Sequence, residues 1–262
     1  MEREYLVKNS SVAIKCGLNG IVGSTIYSIL LSLLVSIILT VSISSANPGA
    51  SEEILQALFN EKYAAFPYSL VISIVANIIT FVIFVLIIGK EQIIIMLKNI
   101  FTFKALKYGL ITGLCLIAFS MIYNLTITSI FNLNGGGNAN QEGVTSLIVS
   151  NPILGFISVV VLAPIVEELT YRYCLFGEVS KKKKWLGYVI SGLVFMAMHS
   201  ISSLSAAGGF NKAFAQELIY LPPYLFSGLA LCYAYDKSGY LGSGICAHLF
   251  NNLLSFMMVV LL

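Results

Sequence analysis

The sequence predicts an all-α polytopic membrane protein with about seven transmembrane helices, in a range of six to eight, and a polar cavity inside the bundle. Hydrophobic residues make up 58% of the 262 residues and charged residues only 10%, whereas soluble domains carry about 25% charged residues. The mean hydropathy is +0.89. Apolar stretches of about 20 residues, the length that crosses a bilayer, recur between short polar segments.

The N-terminal part, residues 1–145, is predicted to hold about three spans and an amphipathic segment. The first apolar stretch exceeds the 7–15 residues of a signal-peptide core, so we interpret it as an uncleaved span. A polar loop containing Asn47-Pro48-Gly49 follows it. The segment from Lys90 to Lys107 mixes lysines with apolar residues, which fits either an amphipathic interfacial helix or an ordinary loop. The predicted spans run from about Ile21 to Ile43, Tyr68 to Gly89 and Tyr108 to Phe131.

The C-terminal part, residues 146–262, is predicted to hold the remaining spans. A flexible loop with three consecutive glycines, residues 132–146, leads into it. Pro152 or Pro164 is expected to start or kink the fourth span, because proline lacks a backbone N–H. The predicted spans run from about Leu147 to Val179, Leu186 to Leu204, Leu218 to Tyr235 and Tyr240 to Leu262.

The positive charges predict a cytoplasmic N-terminus. The net charge of +3 is small and reflects topology, so the partners expected are membrane lipid and no nucleic acid. The run of four lysines, residues 181–184, is a topology determinant or a site for anionic lipid or an acidic partner. The cytoplasmic segments would hold Arg3, Lys8, Lys15, Lys90, Lys98, Lys104, Lys107, Lys181 to Lys184 and Lys237, and the outer segments Lys62 and Lys212.

Polar residues inside three predicted spans are the strongest functional signal. Charged groups at bilayer depth cost a few kcal/mol each, face cavities and mark functional sites. The helical rise places Glu167 and His199 roughly 21 and 22 Å from the cytoplasmic boundary, and His248 roughly 12 Å or more. We therefore expect these side chains to meet at one depth. The candidate site residues are Glu167, Glu168, Arg172, His199, His248 and Asn252.

The spacing within each cluster predicts which side chains share a helical face. Glu168 and Arg172 are four residues apart, with the acid first, so they can pair along one helix. Glu167 points about 100° away from Glu168, so one carboxylate can be paired while the other faces a cavity. His248 and Asn252 share a face. Structural pairing and direct participation in chemistry both remain open for Glu168 and Arg172.

Three motifs in this order, E-E-x-x-x-R, F-x-x-x-H and H-x-x-x-N, resemble the CAAX-protease and bacteriocin-processing family, also called the Abi or type II CAAX prenyl endopeptidase-like family. The resemblance covers roughly residues 152–261 and implies an intramembrane endopeptidase. By resemblance, Glu167 is the general base that activates a water, and His199 positions that water. His248 and Asn252 stabilise the oxyanion. Glu168 and Arg172 are the supporting pair that shapes the site.

Two other chemistries stay open. A serine or cysteine nucleophile is the first, since Ser202 and Ser203 follow His199 at helical contact spacing and Cys174 shares a face with Glu167. Zinc is the second, because the family has been described as metalloproteases. The strong zinc motif H-E-x-x-H is absent. A zinc ion would need three protein ligands.

We expect no certain cofactor and favour a metal-free reaction. If a metal is present, its ligands would be Glu167, His199 and His248. The expected substrate is a membrane-associated peptide or protein.

Two non-proteolytic readings compete with the protease. A membrane scaffold or bacteriocin self-immunity protein would keep the motifs for structure, and an ion-coupled transporter would use them as a proton relay. The absence of an internal repeat argues against the transporter. A multi-pass protein of the bacterial plasma membrane is the location we expect.

Overall fold

The computed structural model describes residues 9–131 and 138–261, apart from the side chains of Ser202, Ala206 and Lys212. Within these ranges the regular structure is helical and contains no strand. Seven helices are long and apolar enough to cross a membrane. The predicted all-α polytopic membrane protein is therefore confirmed.

The N-terminal half forms three long helices and two short ones. The 47–67 segment, predicted as a polar loop, contains a 14-residue helix. Ser51 caps this helix by accepting a hydrogen bond from the Ile54 N–H, and acidic residues fill its first turn, where the helix dipole favours them. The lysine-rich segment begins as a short helix with Ile93 and Met96 buried. The helices are α1 (Ser10–Ala46), α2 (Glu52–Ala65), α3 (Tyr68–Ile88), α4 (Lys90–Lys98) and α5 (Phe103–Phe131).

The C-terminal half differs from the prediction at two helix boundaries. The predicted loop at 132–146 lies partly outside the described residues, including its glycines, but residue 139 already begins a helix capped by Asn138. Asn151 ends this helix and caps the next, whose first residue is Pro152. The predicted sixth span is divided at Tyr220. The helices are α6 (Ala139–Ser150), α7 (Pro152–Ser180), α8 (Lys184–Ala206), α9 (Lys212–Ile219), α10 (Leu221–Ser238) and α11 (Leu241–Leu261).

Two π-helical turns, Phe156–Leu162 and Leu169–Phe176, interrupt α7. The first immediately precedes Pro164. In this turn the Ala163 N–H bonds to the Ser158 carbonyl five residues earlier. The next carbonyl, that of Val159, would need an N–H at Pro164, which proline lacks. The Val159 carbonyl is thus left open for another partner.

The bundle is held together by buried apolar side chains at one end and by close backbone contacts. One core cluster joins α1, α3, α4, α7, α10 and α11, with Phe84, Phe176 and Tyr235 fully buried. Helices α8 and α10 touch at Gly192 and Gly228, where a Cβ on Gly228 would lie 2.8 Å from the Gly192 Cα. Small residues allow such approach in membrane bundles.

Helix ends on the same predicted side of the membrane are bonded to one another. The Ser10 hydroxyl donates to the Glu178 carboxylate, joining the start of α1 to the end of α7. Lys184 Nζ lies 2.8 Å from Asp236 Oδ1, joining the start of α8 to the end of α10. These contacts fit the alternating topology expected from the lysines.

Candidate functional site

The three sequence motifs meet at Glu167. Its Oε2 lies 3.5 Å from His199 Nε2 and 3.8 Å from His248 Nε2. Helices α7, α8 and α11 each supply one of these side chains. All three line a cavity of about 310 Å³, here called the active-site cavity. Glu167 Oε2 is buried and has no hydrogen-bond partner within the described residues, so it is free to accept one from a molecule in the cavity.

The hydrogen bonds of the two histidines fix their tautomers. His199 Nδ1 lies 2.9 Å from the Phe195 carbonyl, and a carbonyl can only accept, so Nδ1 carries the hydrogen. His248 Nδ1 lies 3.0 Å from Glu168 Oε1, and the same argument applies. Both Nε2 atoms are therefore directed at Glu167.

Glu168 and Arg172 form the expected pair on α7 and orient His248. Arg172 Nε lies 3.3 Å from Glu168 Oε2, and both side chains are fully buried. The guanidinium lies over the Phe195 ring, 4.5 Å from its centroid, in a cation–π arrangement. Its terminal nitrogens have no hydrogen-bond partner within the described residues. The pair therefore lies on the Nδ1 side of the His248 ring, and Glu168 orients the ring through its hydrogen bond.

Gly244 of α11 brings the helix backbone against this pair. A Cβ at Gly244 would overlap the Glu168 Oε2 atom. The carboxylate can occupy its place between His248 and Arg172 only because residue 244 has no side chain.

Asn252 is positioned by the break in α7. Its Nδ2 donates to the Val159 carbonyl at 2.9 Å, the acceptor that Pro164 leaves open. Asn251 also lines the cavity and donates from Nδ2 to Asn252 Oδ1 at 3.1 Å.

His199 lies between two aromatic rings. Phe195 lies four residues earlier on α8, and its ring centroid is 4.2 Å from that of the imidazole. Tyr224 of α10 stacks on the other face at 5.3 Å. Its hydroxyl lies 3.1 Å from Asn138 Nδ2 and 3.0 Å from Asn140 Nδ2, so it connects the histidine to the start of α6. A single tyrosine in an apolar span carries no sequence signal, and Tyr224 was not predicted.

The alternative nucleophiles have no bond to either histidine among the described side chains. The Ser202 side chain lies outside those described. Ser203 is buried without a hydrogen-bond partner, and Ser200 donates to the Met196 carbonyl. Cys174 is 1% exposed and does not line the active-site cavity. Among the described side chains, neither Ser203 nor Cys174 is activated by a histidine.

The carboxylate and the two imidazoles have the donor types that zinc takes. Glu167 Oε2 lies 3.5 Å from His199 Nε2 and 3.8 Å from His248 Nε2. Within the described residues, no group of three or more His, Cys, Asp or Glu side chains is arranged to hold a metal ion.

Comparison with known proteins finds a family that is similar to this part of the chain. The profile of the family described as "Type II CAAX prenyl endopeptidase Rce1-like" matches residues 149–254, which contain all six candidate site residues. An uncharacterized protein of Mycoplasma capricolum subsp. capricolum is 30% identical over 174 residues, or 61% of this chain. The chain spans about half, 47%, of that relative's length. No solved structure matches the chain.

The matched region includes the parts of α7, α8 and α11 that carry the three motifs, and the six site residues lie together there. Residues 149–254 are thus similar to the type II CAAX prenyl endopeptidase Rce1-like family.

Proposed function

We propose that this chain is an intramembrane endopeptidase in which Glu167 activates a water molecule for attack on a peptide bond. The observation that supports it is the convergence in a cavity of two imidazole Nε2 atoms with one carboxylate oxygen that has no hydrogen-bond partner among the described residues. Amide hydrolysis needs a base for water, donors for the oxyanion and a proton for the leaving amine. The six site residues offer each of these groups.

The first step uses Glu167 and His199. A water molecule in the cavity donates a hydrogen bond to Glu167 Oε2. The same water molecule lies within reach of His199 Nε2. As the water oxygen bonds to the carbonyl carbon, its proton moves to Glu167. The carbonyl π electrons move onto the oxygen, which becomes an oxyanion.

The oxyanion is stabilised by His248 and Asn252. Asn252 Nδ2 has two hydrogens, and only one is used for the Val159 carbonyl. His248 Nε2 can donate only when the ring is an imidazolium, because Nδ1 already holds a hydrogen. The Glu167 and Glu168 carboxylates lie 3.8 and 3.0 Å from the nitrogens of this imidazole.

The second step breaks the C–N bond. The oxyanion electrons reform the carbonyl, and the leaving nitrogen takes the proton that Glu167 accepted. His199, 3.5 Å from Glu167, can relay that proton. The products are a carboxyl end and an amine end. One water is consumed, and the enzyme returns to its starting protonation state.

The substrate we propose is a membrane-associated peptide or protein, since the site lies inside a bundle of spanning helices. We further propose a bacterial plasma-membrane location with the N-terminus in the cytoplasm. The lysine asymmetry supports this orientation.

A terminal-peptide profile of cells expressing wild type or Glu167→Gln tests the function. We expect a small set of new protein termini with wild type that disappear with Glu167→Gln, His199→Ala or His248→Ala, while membrane insertion is unchanged. Glu178→Gln is the matched control, because Glu178 lies on the same helix, is paired with Lys181 and lines no part of the cavity. Identical profiles for wild type and Glu167→Gln would instead support a scaffold or self-immunity role.

A further inference from the structure

A second cavity of about 340 Å³, here called the side cavity, adjoins the active-site cavity. Its polar lining within the described residues is entirely uncharged. The two cavities share wall residues, including Tyr224 of α10. The polar lining residues are Asn138, Tyr220, Tyr224, Ser120, Asn124, Gln141, Ser227, Asn251 and Ser255.

Several of these polar side chains have no hydrogen-bond partner among the residues that the structure describes. In the same helix, α5, the hydroxyls of Thr126 and Ser129 bond to carbonyls four residues earlier, at 2.7 and 2.9 Å. Ser120 and Asn124 make no side-chain hydrogen bond to any described residue, and Asn124 is exposed to the cavity. A polar group without a partner is costly away from water. A polar occupant is therefore expected in the side cavity.

The proposed reaction creates a need for such partners. A peptide bond is open to attack only where the chain is extended, and an extended segment at membrane depth loses the N–H and C=O partners that a helix supplies. Asparagine and glutamine offer both a donor and an acceptor, which suits a peptide backbone. Serine hydroxyls do the same. Because the described lining carries no charge, it favours the backbone and uncharged side chains of a substrate over charged substrate side chains.

We propose that the side cavity binds the extended stretch of substrate polypeptide next to the scissile bond, through hydrogen bonds from Asn124, Ser120 and their neighbours to the substrate backbone. This inference rests on the proposed function. Asn251 links the two cavities, because it lines both and bonds to Asn252 at the oxyanion position. A substrate bound in the side cavity would therefore present its next peptide bond to Glu167.

The test compares Asn124→Leu with Asn77→Leu. Asn77 is a carboxamide in another span, α3, where it donates to the Ser73 carbonyl at 2.9 Å and lines neither cavity. Leucine favours membrane insertion at both positions. A second variant, Ser120→Ala with Ser255→Ala, removes two hydroxyls without adding bulk. Terminal-peptide profiles are quantified in cells that contain equal amounts of each inserted protein, with Glu167→Gln as the inactive reference.

We expect Asn124→Leu to lower the Glu167-dependent termini about five- to tenfold, the effect of losing about one net hydrogen bond. The loss should be unequal among cleavage sites, because each substrate uses the cavity differently. Asn77→Leu should stay within about twofold of wild type, and the double serine variant should change the same cleavage sites as Asn124→Leu.

Three results would overturn the inference, and they are distinguishable. Glu167-dependent termini that are unaffected by Asn124→Leu would refute the substrate cavity while leaving the protease intact. An equal loss at every cleavage site would indicate a water channel to Glu167 instead. Profiles without any Glu167-dependent terminus would remove the proposed function and this inference together.

Discussion

The packing of Gly244 against Glu168 gives a sharp test of how His248 is held. Glu168 is fully buried, accepts a hydrogen bond from His248 Nδ1 at 3.0 Å and forms an ion pair with Arg172 Nε at 3.3 Å. A methyl group in Gly244→Ala would overlap its Oε2 atom. The carboxylate must then move away from α11, and we expect it to release the imidazole that it orients.

The expected loss follows from the bond that is broken. A hydrogen bond to a charged group contributes about 1.5–3 kcal/mol, and about 1.4 kcal/mol corresponds to a tenfold change in rate. Gly244→Ala should therefore lower kcat about tenfold to a hundredfold. Alanine is favoured over glycine in a helix by about 1 kcal/mol, so α11 itself should form normally. KM should change little, because Gly244 lines neither cavity.

Cleavage kinetics on a substrate found by terminal profiling, together with Tm in detergent, provide the assay. Gly17→Ala is the control, since Gly17 lies in α1 and a Cβ there would meet nothing within 4 Å. In a double-mutant cycle, Gly244→Ala should add little to the loss already caused by Glu168→Gln, because both act through one contact. Wild-type kcat in Gly244→Ala, or full additivity with Glu168→Gln, would refute this account of the site.

Three further predictions concern the site. Arg172→Ala should lower the free energy of unfolding by about 3–5 kcal/mol, because it leaves Glu168 buried beside a vacated guanidinium site; an unchanged Tm would contradict this. Tyr224→Phe keeps the ring on His199 but removes the hydroxyl that bonds to Asn138 and Asn140. Amide hydrogen exchange at the start of α6 should therefore become about tenfold faster. Unchanged exchange would show that these hydrogen bonds do not stabilise α6. Elemental analysis of purified protein should find no stoichiometric zinc; stoichiometric zinc that is lost in His199→Ala would overturn the metal-free proposal.

The spans could be predicted because hydropathy is a local property of the sequence. The helices between them were harder to predict, since α2 and α6 are short and polar and lie in segments that resemble loops. Their caps were nevertheless visible. Ser51 precedes two glutamates, and the side chain of Asn138 accepts a hydrogen bond from the backbone N–H of Gln141, three residues later. Both patterns are ordinary signals for the start of a helix.

The site was predictable to the extent that it depends on helical geometry. The depth estimated along the helix axis predicted that Glu167 and His199 lie at the same level. In the structure, Glu167 Oε2 and His199 Nε2 are 3.5 Å apart. Spacing of four residues gave the Glu168–Arg172 pair. Depth and spacing do not reveal which face of a neighbouring helix is turned inward. Tyr224 and Asn251 were missed for that reason, since each reaches the cavity through the packing of α10 or α11.

The interruption of α7 at Pro164 explains why a carboxamide and not an aliphatic side chain suits position 252. A regular helix would satisfy every carbonyl of α7 internally, and an asparagine on α11 would then have to leave its Nδ2 hydrogens unpaired. The π-helical turn before Pro164 leaves the Val159 carbonyl open, and Asn252 bonds to it at 2.9 Å. That bond fixes the side chain while its second hydrogen stays available at the cavity. A residue that weakens one helix thus fixes the position of a donor on another, and the proposed oxyanion site depends on both.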